Sequence, residues 1–365
     1  MKFNHRVSNN ITYTQRSFAL KQTGFSLIEL LVGLVIGLIV TLVITQLFSV
    51  FEGDKRSTMG SADAQTNGNI ALYTLTRDIQ QAGFGLPGGA ATDSIYNCAI
   101  ANQFSPVTIE DGGLGSDIVT VRYGNSQTGG LPTKVTDQVN DFLMVVNSTG
   151  CVAGNVAIQV NSSACTIKNI QVQTGSYDPN TTVQVQNSTG LSPSGNLYCP
   201  GQWNEYQYSV KETPTGSKKF ELNKVTTQID GSGTLTPIST TVTTEVVGLK
   251  ALYGVSTDGD NTIDSWQKGT GSVWGASNLT ATTRNQIKAV RIAIATRNAL
   301  KEKNDVTPNS CMTMYGNDCT TAPAGALQID ISRAGTTTIT DWKKYRYRVY
   351  EAIIPIRNVV WAGIS

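Results

Sequence analysis

An uninterrupted apolar run dominates the N-terminal part of the chain. From Phe25 to Phe51 it reads FSLIELLVGLVIGLIVTLVITQLFSVF. As an α-helix these 27 residues would be about 40 Å long, which exceeds the bilayer's hydrocarbon core of about 30 Å. No small-residue cleavage site follows the run, so we expect it to stay on the protein as a membrane-spanning helix.

The helix is predicted to continue beyond the apolar run as an amphipathic segment over residues 52–84. One stripe of this segment has the three- and four-residue spacing that suits packing on a sheet: Leu72, Leu75, Ile79 and Ala82. Three glycines are expected to weaken the segment: Gly53, Gly60 and Gly68. The glycine-rich residues 83–89 are expected to end it.

The remaining residues, 85–365, alternate short apolar strands with Gly, Asn, Ser and Asp turns. Strands are predicted at Ile118–Tyr123, Phe142–Asn147, Val156–Val160, Tyr206–Val210, Phe220–Val225, Val246–Tyr253, Ile287–Thr296 and Tyr345–Ile356. Residues 288–294 alternate as a half-buried strand does, and the polar stretch 161–200 predicts surface hairpins or an elaborated loop. The expected fold is therefore α+β, with a long N-terminal helix packed on a large antiparallel β-rich head of one or two lobes.

Charge and histidine content narrow the functional classes. The formal net charge is +2, but residues 1–24 contain four cations and no acid, so the remainder has −2. This balance gives no indication of nucleic-acid binding. The only histidine, His5, also lies in that basic leader. A processed chain would therefore have neither catalysis that depends on imidazole nor any metal site that needs an imidazole ligand. No phosphate-binding loop is present either. We therefore expect neither an enzyme nor a cofactor.

Six cysteines are spaced without any C-x-x-C motif: Cys98, Cys151, Cys165, Cys199, Cys311 and Cys319. An even number beside an export signal predicts disulfides in an oxidising compartment, although 15 pairings are possible. Cys311 with Cys319 is the preferred local pair, because Tyr315-Gly316-Asn317 can turn the chain between them. Buried free thiols are the alternative.

A glutamate, Glu29, interrupts the apolar run near its N-terminal end. An ionised carboxylate there is costly unless it is paired. Cleavage after Gly24 would give Phe25 a positively charged amine, four residues from Glu29 and on the same helical face. The amine and the carboxylate could then neutralise one another, within one subunit or between neighbours.

Residues Gly24-Phe25-Ser26-Leu27-Ile28-Glu29 closely resemble the type III signal of type IV pilins and type II secretion pseudopilins. The resemblance implies that a prepilin peptidase cuts between Gly24 and Phe25 and methylates the new Phe25 amine. It also implies that the apolar helix packs into a filament core, where Glu29 pairs with a neighbouring subunit's amine. The expected organisation is a leader at 1–24, a membrane and filament-core helix at 25–51, its amphipathic continuation at 52–84 and a head at 85–365.

Gly33 and Gly37 form a G-x-x-x-G pattern within the run. This spacing allows close helix packing in membranes, whereas glycine is also common in membrane helices without any such role. Specific packing at the two glycines and a simple abundance of glycine are both open.

Three further segments resemble the PilW family of minor pilins: Arg77–Phe84, Leu249–Val255 with the acidic turn after it, and the strand end Thr296–Asn298. The resemblance implies a minor pilin in a tip complex that primes pilus assembly, with twitching motility, adhesion and DNA uptake downstream. Implied partners are other minor pilins, the major pilin, prepilin peptidase, the inner-membrane assembly machinery, inner-membrane lipid and a tip adhesin. The expected location is the inner membrane, with a periplasmic head, and then the extracellular pilus tip.

Two alternatives use the same N-terminal helix. A type II secretion pseudopilin of the J-like type would build a short periplasmic pseudopilus, although the size of this chain disfavours it. A tip adhesin would use residues 90–245 to bind a surface or another protein.

An acidic cluster, Asp258-Gly259-Asp260-Asn261-Thr262-Ile263-Asp264, is the one candidate ion site. Alternating acids on a tight turn can direct several oxygens at Ca²⁺ through Asp258, Asp260 and Asp264. The spacing departs from an EF-hand, since Gly259 comes early and no glutamate closes the loop. An acidic hairpin turn that satisfies its own backbone donors is the favoured interpretation.

Overall fold

The computed structural model describes residues 24–86, 95–97, 104–161, 164–229 and 235–361. The basic leader residues 1–23 and Cys98 lie outside these ranges. The chain divides into two compact units, residues 1–56 and residues 57–365.

A single long helix, α1, spans Leu27–Gln81 and contributes to both units. In the first unit its side chains are exposed as far as Phe51, and most of them are apolar. By length and composition it could cross a membrane, and it is the only such helix in the described part of the chain.

In the second unit, residues 57–81 of α1 bury one stripe in the main core. Ala71, Leu75 and Ile79 have no exposed surface, and Leu72 packs half-buried against the same cluster. The predicted core stripe is confirmed. The helix ends at Gln81, three residues before the predicted end, because Gly83 has φ +78° and cannot continue a right-handed helix. The Gly83 amide donates instead to the Arg122 carbonyl at 2.9 Å.

Within the described ranges, nineteen strands follow in chain order, with two short helical turns at Ile95–Asn97 and Trp342–Lys344. The first eleven are β1 (Val107–Glu110), β2 (Ile118–Tyr123), β3 (Thr133–Val139), β4 (Phe142–Val145), β5 (Val156–Asn161), β6 (Ala164–Asn169), β7 (Thr182–Gln184), β8 (Gly195–Gly201), β9 (Asn204–Glu212), β10 (Phe220–Ile229) and β11 (Leu235–Thr244). The others are β12 (Val246–Val255), β13 (Ser265–Gln267), β14 (Ile287–Arg297), β15 (Cys311–Met312), β16 (Ile329–Asp330), β17 (Arg333–Ala334), β18 (Thr337–Thr338) and β19 (Tyr347–Pro355). Three short helices complete the elements of the described residues: α2 (Gly271–Trp274), α3 (Ala281–Gln286) and α4 (Arg357–Trp361).

These strands form three main antiparallel sheets and two short hairpins. The first sheet has the order β1-β2-β9-β10-β11, the second β13-β12-β14-β19, and the third β6-β5-β8-β3-β4-β7. The pairs β15-β16 and β17-β18 stand apart. The main core joins residues 71–82 to the first and second sheets, whereas the third sheet has two smaller apolar clusters. The α+β prediction, with a long helix and an antiparallel β-rich head, is confirmed.

One sequence-based expectation about the strands is incomplete and one is wrong. The polar stretch 161–200 was expected to form surface hairpins or an elaborated loop. Strand β6 does form a hairpin with β5, but β7 and β8 pair with other strands of the third sheet. Val183 and Val185 are buried there among polar neighbours, so the average polarity of the stretch hides the strand. Strand β14 was expected to be half-buried, yet all of it except Arg291 is buried. It lies between β12 and β19, and residues of both alternating sets enter the main core.

Candidate assembly site

The N-terminal motif places a carboxylate at the first turn of α1. The Ser26 backbone amide donates to Glu29 Oε2 at 3.4 Å, and the Leu30 amide donates to the Ser26 carbonyl at 3.2 Å. Helix N-termini have unpaired amides and a partial positive charge, so a carboxylate is stabilising there. Phe25 is 85 % exposed. The peptide between Gly24 and Phe25 thus precedes a helix that Glu29 caps.

Gly33 and Gly37 leave an open strip on this apolar helix. No atom lies within 4 Å of a Cβ built on either residue. The Thr41 hydroxyl donates to the Gly37 carbonyl at 2.7 Å, so its polar group is satisfied within the helix. The strip is free to approach another helix closely, and its packing role stays a prediction.

The end of α1 is held to the first sheet through a buried carboxylate. Asp78 is 1 % exposed, and its Oδ2 lies 2.6 Å from Lys224 Nζ on β10. The Tyr208 hydroxyl on β9 donates to the same oxygen, and Arg77 Nε lies 3.0 Å from Asp78 Oδ1. Burial, together with the negative charge of Asp78, raises the pKa of Tyr208, which keeps this hydroxyl a donor. The network pairs a charge that could not otherwise be buried.

Two glycines of α1 lie against the second sheet. A Cβ on Gly68 would meet Tyr350 Cε2 at 2.2 Å, and one on Gly60 would meet Asn298 Cβ at 3.0 Å. Between them, the Thr296 hydroxyl donates to the Ala64 carbonyl at 2.9 Å. The prediction that Gly60 and Gly68 weaken the helix is incomplete, because both allow its close approach to the sheet. Sequence reasoning missed Tyr350 and Asn298 as their partners.

The segment Thr296–Asn298 has a structural role at the same junction. Arg297 is 3 % exposed; its Nε lies 2.6 Å from Glu245 Oε2, and its guanidinium carbon lies 4.3 Å from the centre of the Tyr345 ring. Asn298 Oδ1 accepts the Arg346 amide at 2.9 Å. These contacts join β14 to the turn before β12 and to the segment that leads into β19.

The segment Leu249–Val255 lies in β12 and joins the two sheets of the main core. Lys250 Nζ lies 2.6 Å from Asp117 Oδ1, and Asp117 Oδ2 accepts the Ala251 amide at 2.8 Å. Burial raises the pKa of Asp117, against the lowering effect of Lys250. Gly113 contributes its carbonyl to the ammonium at 2.8 Å. Both PilW-like head segments therefore form internal contacts.

The acidic cluster is a set of self-satisfied turns. Asp264 Oδ2 accepts the Thr257 amide at 2.6 Å, Asp260 Oδ1 accepts the Thr262 amide at 2.7 Å, and Asp258 Oδ1 accepts the Asp260 amide at 3.2 Å. Across the described ranges, no group of three or more His, Cys, Asp or Glu side chains is arranged to hold a metal ion. The geometry matches the hairpin interpretation.

Two disulfides are present among the described residues. Cys311–Cys319 is the predicted local pair, with Cα atoms 5.8 Å apart, and this prediction is confirmed. Cys151–Cys199 joins two points 48 residues apart beside the third sheet, with Cα atoms 5.1 Å apart. Cys165 is also disulfide-bonded. The alternative of buried free thiols is wrong, since the described residues contain no free cysteine.

Two family models match this chain, one at the N-terminal helix and one in the C-terminal half. Residues 20–45 match the model of the prokaryotic N-terminal methylation motif, and residues 207–358 match that of the Type IV Pilus-assembly protein W family, PilW. The chain is a type IV pilus-related pilin that matches the PilW family. No curated protein and no solved structure gives a significant match.

The PilW match has clear structural limits. It begins within β9, ends within α4 and includes the whole second sheet. Leu249–Val255 and Thr296–Asn298 lie inside it, whereas Arg77–Phe84 and every strand of the third sheet lie outside both matched segments. The apolar helix fits a pilin anchored in a membrane before assembly. PilW proteins are components of pilus assembly, which suggests other pilins and the assembly machinery as partners.

Proposed function

We propose that this chain is a minor pilin of a type IV pilus and that it acts in a tip complex which primes filament assembly. The observation that supports this most directly is the position of Glu29, at the first turn of an exposed apolar helix and bonded to the Ser26 amide. Twitching motility, adhesion and DNA uptake are the downstream roles that such a complex would serve.

Processing would change the electrostatics of this helix end. Cleavage between Gly24 and Phe25 by prepilin peptidase creates a cationic amine beside the positive end of the helix dipole, which is unfavourable. Glu29, four residues away, offsets that charge while the subunit stands alone. Methylation of Phe25 keeps the amine cationic, so the same attraction is available to a neighbouring subunit.

The attraction supplies a reason for ordered assembly. In a hydrocarbon environment an unpaired carboxylate is costly, and pairing with a neighbour's amine removes that cost only at the correct axial position. The open strip at Gly33 and Gly37 would let a neighbouring helix approach closely. The apolar helix therefore enters the filament core in a defined register.

Substitution of Glu29 tests this function. Glu29→Gln keeps the size and removes the charge, so we expect fewer surface filaments with normal membrane insertion and leader removal. Glu52→Gln, the same change beyond the apolar run, is the matched control and should leave filament number unchanged. Filaments counted by electron microscopy at wild-type numbers in Glu29→Gln would contradict the pairing role.

A second role is favoured by the third sheet. It has apolar clusters of its own and the Cys151–Cys199 disulfide, and it lies outside the PilW match. A region that the PilW match does not cover is suited to binding a surface or another protein as a tip adhesin. Loss of surface attachment with normal filament numbers, after mutation of exposed residues such as Leu131 and Val172, is the expected result. Unchanged attachment would contradict it.

A further inference from the structure

Two segments of the head form one strongly basic surface. The first is residues 299–307, which follow β14, and the second is residues 341–348, which lead into β19. Together they contain six cations, here named the basic patch: Lys301, Lys303, Lys343, Lys344, Arg346 and Arg348.

Hydrogen bonds hold the two segments side by side. The Glu302 amide donates to the Lys344 carbonyl and the Val306 amide to the Lys343 carbonyl, both at 2.8 Å. The Thr307 hydroxyl donates to the Tyr345 carbonyl at 2.6 Å. The basic patch is thus a fixed surface and not a chance meeting of two loops.

Its charge contrasts with the rest of the head. The two segments contain three acids, Glu302, Asp305 and Asp341, so their net charge is +3. Residues 57–365, the second unit, contain 22 basic and 23 acidic side chains, a net charge of −1, so the remainder of this unit has −4. This asymmetry favours an anionic partner at the basic patch.

Part of the patch is not neutralised internally. Lys301 pairs with Asp341 at 2.6 Å and Arg346 with Glu302 at 3.2 Å. In the described part of the chain, Lys303, Lys343 and Lys344 have no carboxylate within ion-pair distance. These three ammonium groups are available to another molecule.

Apolar side chains accompany these cations. Leu300 is 47 % exposed, and Trp342, which is half-buried, has Lys343 Nζ 5.6 Å from the centre of its ring. An exposed aliphatic group and a partly exposed indole beside lysines are typical of surfaces that meet a lipid interface. A nucleic-acid backbone would require only the cations.

Only a short stretch of chain separates the apolar run from residues that pack beside the basic patch. Arg346 exchanges hydrogen bonds with Asn298, which contacts Gly60. Only eight residues lie between Phe51, the last residue of the run, and Gly60. Even when fully extended, a chain of that length spans no more than about 30 Å.

We propose that, before assembly, the basic patch binds the anionic phospholipid headgroups of the membrane that holds the apolar run. The inference rests on the membrane anchoring in the proposed function. Binding would hold the head against the bilayer until the subunit is extracted into a filament. Each lysine near an anionic surface contributes about fivefold to such binding, so loss of three should weaken it on the order of a hundredfold.

The full chain, inserted in vesicles, tests this proposal. Amide hydrogen exchange of residues 299–307 and 341–348 is compared in phosphatidylcholine vesicles with and without phosphatidylglycerol. We expect slower exchange with phosphatidylglycerol, and loss of this protection at about 1 M salt, where the Debye length is about 3 Å. Lys303→Gln/Lys343→Gln/Lys344→Gln should abolish the protection. Lys134→Gln/Lys168→Gln/Lys268→Gln, three matched lysines elsewhere on the head, should preserve it.

Three outcomes would overturn the inference. The exchange could be equal in both lipids, the two triple variants could behave alike, or protection could arise only when duplex DNA is added, which would assign the basic patch to nucleic acid. Resistance to alkaline extraction reports anchoring separately. A chain that is extracted contradicts the proposed function as well as the inference, whereas an anchored chain without lipid-dependent protection contradicts the inference alone.

Discussion

Asp78 and Lys224 form an ion pair at the end of the long helix, with Oδ2 and Nζ 2.6 Å apart and Asp78 only 1 % exposed. The two residues are 146 positions apart in the chain. Their pairing fixes the helix end on β10, which makes Asp78 a docking residue of the head.

Replacement of Asp78 should therefore unfold the head more readily. Asp78→Ala leaves Lys224 and the Tyr208 hydroxyl without their shared acceptor, and such losses cost about 3–5 kcal/mol. Urea denaturation of the purified protein measures the change. Asp63→Ala, an exposed acid on the same helix, should change stability by less than about 0.5 kcal/mol. Equal effects of the two substitutions would contradict the docking role.

Gly68 should tolerate no larger side chain. Gly68→Ala places a methyl group 2.2 Å from Tyr350 Cε2, and such overpacking costs about 1–3 kcal/mol. Gly53→Ala is the control, because nothing lies within 4 Å of its added Cβ. There the better helix propensity of alanine should stabilise by up to about 1 kcal/mol. Thermal denaturation in which both variants gain stability would disprove the close contact.

The two disulfides should contribute unequally to the free energy of unfolding. In the chain-entropy account, Cys151–Cys199 closes 48 residues and is worth about 4 kcal/mol, whereas Cys311–Cys319 closes 8 and is worth about 2.5 kcal/mol. Paired Cys→Ser variants, compared by urea denaturation, should preserve this order. Since Cys199 belongs to the apolar cluster of the third sheet, faster hydrogen exchange should be confined to that sheet in Cys151→Ser/Cys199→Ser. Faster exchange of β14 in the same variant would contradict this assignment.

Because of Lys288, the free energy of unfolding should change with pH in the alkaline range. Burial on β14 lowers the pKa of its ammonium, so the folded state is penalised while the lysine is charged. The penalty is relieved as the pH rises from the lowered folded pKa towards the unfolded value of about 10.4. Lys288→Met should thus be more stable than wild type near neutral pH, by no more than about 1 kcal/mol since the group keeps part of its hydration. The difference should shrink towards pH 10.4; a difference independent of pH would exclude lysine titration as its cause.

The helix and the central strands could be predicted from the sequence because their apolar patterns are dense. The stripe at Leu75 and Ile79 has helical spacing, and β2 was predicted with its observed bounds. Strands β4 and β5 of the third sheet were predicted. Strands β3, β6, β7 and β8 were missed, because residues such as Val183 and Val185 alternate with Gln and Thr in a polar background. Burial of β14 on both faces depends on its neighbours β12 and β19, which no local pattern reveals.

The candidate assembly site could likewise be predicted only in part from the sequence. Gly24, Phe25 and Glu29 belong to one short motif, so they could be predicted directly from the sequence. The partners of Asp78 and Gly68 are Lys224 and Tyr350, each more than a hundred residues away in the chain. A single sequence shows that an acid and a glycine are present but not which distant side chain each one meets.

The most direct test of the account is mass analysis of the N-terminus of this protein in sheared, purified filaments. We expect a terminus at Phe25 with one added methyl group on its amine, which would demonstrate cleavage after Gly24 and incorporation together. A filament-associated chain that still begins at Met1, or a processed chain absent from the filaments, would contradict it.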